Sequence, residues 1–170
     1  SDCLYLHEQL KQLKKDFEGQ INIAFQLFPL EGKCNDVVEK DLHPGACDMS
    51  YAAVYDPDKF NAIHDEIFGN FTQARRNEEW RAALPGRFGV EAALTDPAAH
   101  ELVNRMIQTG REYEKTDERF AHGIRSTPTM IVNNRMIIGT LPYEQLHAIF
   151  QALIDEQDAD NRRFIENWVE

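Results

Sequence analysis

The sequence predicts a single α/β domain. Three observations carry this: an apolar stripe of helical period near the N-terminus, further helical stripes through the middle, and two β-rich runs around an Asn-Asn pair near the end. With 170 residues, 42% of them hydrophobic, the chain is long enough to bury one sizeable core and too short for two ordinary domains.

Residues 3 to 18 read as the first helix, because Leu6, Leu10, Leu13 and Phe17 recur at steps of four, three and four while Lys11, Lys14 and Lys15 fall elsewhere around the cylinder. Ser1 or Asp2 serves as N-cap and Gly19 stops the helix. "INIAFQLF" (21 to 28) has the apolar and aromatic content of a buried strand, closed by Pro29. Asp56-Pro57 and Asp96-Pro97 each read as an N-cap with proline at the first helical position, where its missing N–H costs nothing. The stripes that follow, Phe60/Ile63/Ile67/Phe71 and Leu102/Val103/Met106/Ile107/Gly110, are read as core-facing rather than as a cofactor box. "PTMIVNNRMIIG" (128 to 139) then forms a hairpin, since asparagine tolerates the left-handed angles of a tight turn. Pro142 opens the last helix, with Leu146, Ile149, Phe150 and Leu153 facing inward, and Phe164 and Trp168 of the acidic tail are expected to dock on the body. For 21 to 28 to have a parallel neighbour joined through the first helix by a right-handed crossover, a further strand is expected ahead of Ser1.

Charge narrows the function classes. Acidic residues outnumber Lys and Arg 29 to 18, a net charge of -11, which argues against a nucleic-acid partner or an anionic membrane surface. No run approaches the roughly 18 apolar residues that would span a bilayer, and the first residues lack the basic and apolar regions of a signal peptide.

The chemistry concentrates on sulfur. A thiol at a helix N-terminus, as expected for Cys3, meets free N–H groups and the positive end of the macrodipole, which favour the reactive thiolate. In a C-x-x-C arrangement one cysteine attacks a disulfide and the other resolves the mixed disulfide. The residue three after Cys3 is Leu6, so a partner would stand three before it, at the position just ahead of Ser1; the bland alternative is an incidental cysteine. His7, one turn on, is a candidate thiolate modulator, with an ordinary helix-surface role as its alternative. Thr127-Pro128 either marks a strand edge or is a cis bond that turns the chain and offers the Thr127 backbone to an incoming extended peptide. Cys34 and Cys47 are separated by twelve residues, with His43-Pro44-Gly45 as a turn between them. Four fates are open for them: a structural disulfide, a relaying redox pair, two inert thiols, or a metal site with His43 that lacks an evident fourth ligand. The six histidines form no H-E-x-x-H pattern, and neither a phosphate-binding glycine loop nor a Ser-His-Asp set is evident, so no metal or cofactor is expected.

"CLYLH" at a helix head, "FPL" at 28 to 30, a helical stretch of about a hundred residues, and "GIRSTPTMIVNNRMIIG" before a final helix together resemble the DsbA-like branch of the thioredoxin superfamily, over nearly the whole chain. The resemblance implies a thioredoxin-like α/β fold with a large helical insertion between the second and third strands: core at 1–30 and 124–157, insertion at 31–123, acidic tail at 158–170. It implies a protein thiol-disulfide oxidoreductase in which Cys3 is the resolving cysteine, the nucleophile sits just ahead of Ser1, Pro128 is cis and Thr127 bonds the substrate. Its direction depends on a reduction potential set partly by Ser1 and Asp2, between the two cysteines. Implied partners are cysteine-containing proteins and a membrane redox partner, quinone-linked or vitamin K epoxide reductase-like, in an extracytoplasmic setting: the bacterial periplasm or a membrane-tethered position facing it. "CN" followed by "HPGAC" is similar to thioredoxin-like domains found with vitamin K epoxide reductase-like membrane proteins, which favours the Cys34–Cys47 disulfide; such a loop contributes about 3 kcal/mol. Two other classes compete: a redox-inactive binding module on this scaffold, and a glutathione-dependent transferase or isomerase.

Overall fold

The computed structural model describes residues 1–113, 124 and 126–159. The docking expected of Phe164 and Trp168 lies outside the described residues. Two compact units emerge, residues 1–24 with 126–159, and residues 25–113 with 124.

The first unit is built from α1 (Asp2–Asp16), a hairpin of β1 (Thr129–Val132) and β2 (Arg135–Ile138), and α7 (Tyr143–Ala159). The four-three-four stripe of α1 buries Leu6, Leu13 and Phe17 against Leu146 and Phe150 of α7. Gly19 turns the chain at φ 76°, a left-handed angle open to glycine at no steric cost. The strands pair antiparallel with Thr129 opposite Ile138 and Val132 opposite Arg135, and Asn133 and Asn134 take positive φ of 46° and 63°, the angles a two-residue hairpin turn requires. Because side chains alternate across a strand, Met130, Val132 and Ile137 face the helices while Ile131 and Ile138 remain 41% and 48% exposed. Gln9 Nε2 donates to the Leu141 carbonyl at 2.8 Å, and the Tyr143 hydroxyl donates to the Asp16 carboxylate, tying α1 to the start of α7.

The second unit is helical. Its elements are α2 (Ala46–Tyr55), α3 (Phe60–Gly69), α4 (Phe71–Arg76), α5 (Glu78–Phe88), a 3-10 turn (Glu91–Leu94) and α6 (Pro97–Glu112). Helix α2 is its centre: Ala52 and Ala53 have almost no exposed surface, and their small side chains let neighbouring helices approach. Val103 and Ile107 of the α6 stripe pack in one core with Cys47, Tyr51 and Val54. Gly110 completes that stripe, because a Cβ there would stand 2.8 Å from the Phe28 ring. Among the described residues, no helix is long and apolar enough to cross a membrane.

Two expectations are corrected. Residues 21–28 form no strand ladder: the described sheet has two strands, β1 and β2, and among the described residues no strand pairs with the segment. Its side chains nevertheless alternate, with Ile21, Ile23, Phe25 and Leu27 half-buried and Asn22, Ala24 and Gln26 exposed. Asp56-Pro57 does not open a helix. Asp56 ends α2, its Oδ1 accepts the Asp58 N–H at 3.1 Å in a tight turn, and α3 begins only at Phe60. Asp96 does cap its helix, accepting the Ala99 N–H at 2.8 Å ahead of Pro97.

Candidate active site

Cys3 is the second residue of α1, half-buried and in the free thiol form. Its place follows from the core below it. One turn along, Leu6 packs in the same cluster as Met130 of β1, so the head of the helix and the head of the strand converge. Thr127, immediately before Pro128 and β1, stands beside the Cys3 sulfur, and its side chain favours the thiolate. The Thr127–Pro128 peptide bond is cis. Pro128 is anchored because its carbonyl accepts the Gly139 N–H at 2.9 Å, one rung beyond the hairpin ladder. Thr129 Oγ1 donates to the Ser126 carbonyl at 2.9 Å and braces the bend. Among the described residues, the Thr127 N–H and C=O make no hydrogen bond.

The electrostatics differ from the expectation for a helix head. Burial raises the Cys3 thiol above its ordinary value of 9.0; the Thr127 hydrogen bond opposes that and the Asp2 carboxylate adds to it. Desolvation of the thiolate therefore outweighs the groups that favour it. His7 is buried on the same helix, with Nε2 3.9 Å from Glu8 Oε1.

Cys34 and Cys47 form a disulfide, with Sγ–Sγ 2.07 Å and Cα–Cα 5.9 Å. With both sulfurs bonded to each other, the thiolate metal set with His43 is not formed. The turn at His43-Pro44-Gly45 is present: the Ala46 N–H reaches the His43 carbonyl at 3.1 Å, and Gly45 has φ 81°. Burial, aided by the Arg75 charge, holds the His43 imidazole below its ordinary value of 6.5.

Sequence reasoning missed Glu31. Its buried carboxylate accepts the Gly45 N–H through Oε1 and the Cys47 N–H through Oε2, both at 2.8 Å, and so caps the start of α2. No local pattern announces a cap delivered from fourteen residues upstream. The Thr127 hydroxyl was missed too, since only its backbone had been considered; a hydroxyl directly before the proline was the available signal.

A family model described as thioredoxin matches residues 1–152. The chain belongs to the thioredoxin family. No curated protein and no solved structure matches it. A thioredoxin-family domain with helices, a small two-stranded sheet and a Cys34–Cys47 disulfide fits thiol-disulfide chemistry in general.

Proposed function

We propose that this chain is a protein thiol-disulfide oxidoreductase of the DsbA-like kind, exchanging disulfides with cysteines of other proteins. One observation carries the reading: in a chain of the thioredoxin family, a free thiol stands in the first turn of α1, where the head of that helix converges on the head of β1.

Cys3 is the resolving cysteine in this reading, which requires an attacking cysteine immediately ahead of Ser1. Once that cysteine is joined to a substrate, Cys3 loses its proton and attacks the partner sulfur. The bond to the substrate breaks, the substrate sulfur leaves as thiolate and takes up a proton, and the active-site disulfide closes. Burial keeps Cys3 protonated until then, and the Thr127 hydroxyl stabilises the thiolate as it forms. The Thr127 backbone aligns the substrate beside Pro128, and His7 modulates the thiolate. Residues 21–28 are then the second strand, awaiting a neighbour ahead of Ser1, which makes the helical unit an insertion between the second and third strands. Their strand-like alternation without a ladder supports this.

The site of action is extracytoplasmic, periplasmic or membrane-tethered facing the periplasm, with a quinone-linked or vitamin K epoxide reductase-like membrane protein resetting the active site. The Cys34–Cys47 disulfide supports that compartment, because such bonds persist where the surroundings oxidise.

The test is Cys3→Ser in the encoded protein. It is expected to lose multiple-turnover exchange on a disulfide-containing protein and to accumulate substrate-linked mixed disulfides that dithiothreitol releases. Wild-type turnover by the variant would overturn the assignment.

A further inference from the structure

The second unit carries an open cleft of about 450 Å³ that the Cys3 chemistry does not use, walled by Cys34, Tyr51, His100, Glu101 and Asn104. In one wall the Tyr51 and His100 rings stack with centroids 3.9 Å apart, and His100 Nε2 lies 3.0 Å from the Leu94 carbonyl. The two sulfurs of the disulfide stand differently toward this cleft. Cys34 lines it and is half-buried, whereas Cys47 has no exposed surface.

We propose that the Cys34–Cys47 disulfide is a second thiol-exchange site, opened through Cys34 by a low-molecular-weight thiol entering this cleft. The thiolate of the small molecule attacks Cys34 Sγ, forming a mixed disulfide there and breaking the bond to Cys47. Cys47 leaves as thiolate and takes the proton the small thiol lost. A second small thiol attacks the mixed disulfide and departs as a symmetric disulfide, leaving Cys34 as a thiol. Two small thiols are oxidised and one cystine is reduced.

Several contacts prepare the reduced state. Cys47 Sγ lies 3.6 Å from the Glu31 carbonyl, so its S–H has an acceptor in place. Glu31 already occupies the positive end of α2 through the Gly45 and Cys47 N–H groups, which disfavours a lasting thiolate beside that carboxylate. The chain on either side of the cystine is also held without the sulfur bond. Lys33 Nζ meets Asp48 Oδ1 at 2.6 Å, the Leu42 and His43 N–H groups reach the Leu30 carbonyl at 3.0 and 3.2 Å, and the Gly32 N–H reaches Asp41 Oδ1 at 2.7 Å. Opening the disulfide therefore leaves the loop closed and the fold intact.

The inference is independent of Cys3, and its test removes that thiol. Cys3→Ser protein is incubated with reduced glutathione in native buffer, quenched in acid, alkylated, digested and mapped by mass spectrometry, with near-ultraviolet circular dichroism recorded throughout. Expected are a glutathione adduct on Cys34, an alkylated thiol on Cys47, and unchanged tertiary signal. Adding Asn104→Trp, a surface change that fills the cleft, is expected to slow adduct formation roughly tenfold, since access governs exchange rates. An adduct on Cys47, opening only where denaturant abolishes the tertiary signal, or a rate indifferent to Asn104→Trp each overturns the proposal. The adduct map stands whether or not the tryptophan variant folds.

Discussion

Cys3 and Cys47 occupy the same position in their helices, each the second residue of its element, yet their sulfurs are in different chemical states. At α2 the positive helix end is taken by the Glu31 carboxylate, Cys47 is sealed in the core, and its sulfur is bonded to Cys34. At α1 no side chain caps the helix, Cys3 is half-buried and free, and the group that meets its sulfur is the neutral hydroxyl of Thr127. A helix N-terminus therefore does not by itself make a sulfur reactive. What fills the helix end, and how much water is excluded there, decides the outcome.

The contrast is broken most forcefully by removing each sulfur site in turn. Replacing Cys34 and Cys47 together by alanine is expected to lower unfolding free energy by about 3 kcal/mol, from the loss of a cross-link closing a short loop, whereas Cys3→Ala, whose sulfur is free in the structure, is expected to cost the reduced active site under about 1 kcal/mol. Urea denaturation of both variants measures this; equal losses would mean that the two sulfurs serve stability alike. Next in size, Glu31→Ala deletes a buried acceptor of two N–H bonds and is expected to cost about 2 kcal/mol while leaving Cys3 alkylation unchanged.

The remaining effects are titrations. The Cys3 thiol lies above its ordinary 9.0 in the folded state, so the stability it contributes is fully present below that pH and is lost as pH rises through the raised value. Alkylation of Cys3 against pH is expected to have its midpoint above 9.0, and Thr127→Val, which removes the opposing hydrogen bond, should move it further up. A downward shift would show that Thr127 does not support the thiolate. Smallest is a control far from sulfur. The Tyr143 phenol, pushed up to about 12 by burial and by Asp16, is expected to titrate closer to 10.0 in Asp16→Asn, read from phenolate absorbance.

What could be read in advance was whatever rests on neighbours in the chain. The α1 stripe, the Asn133-Asn134 turn and the Asp96 cap are each complete within a few residues, and each forms as read. Residues 21–28 show the limit of such reading. Their alternation is local and present, but a ladder depends on a neighbouring strand, which the segment itself does not specify. Asp56-Pro57 failed for a different reason: aspartate before proline suits a turn as well as a cap, and here the turn takes Asp56 Oδ1. At the candidate site, Cys3 and Pro128 stood out by residue type, whereas the Thr127 side-chain contact and the Glu31 cap join residues far apart in sequence and leave no periodic trace.

The neck between Leu30 and Cys47 is fastened several times over, by Glu31, by the Gly32–Asp41 bond and by the cystine, while Val37 at its tip is 44% exposed. Changes of length near Val37 are buffered from the head of α2 by these ties, Asp36 beside it accepts from Arg111 of α6 at 2.7 Å, and closing a longer excursion adds only about 0.6 kcal/mol for each doubling. That tip is the natural place to splice in an epitope or a fluorescent reporter without disturbing either sulfur.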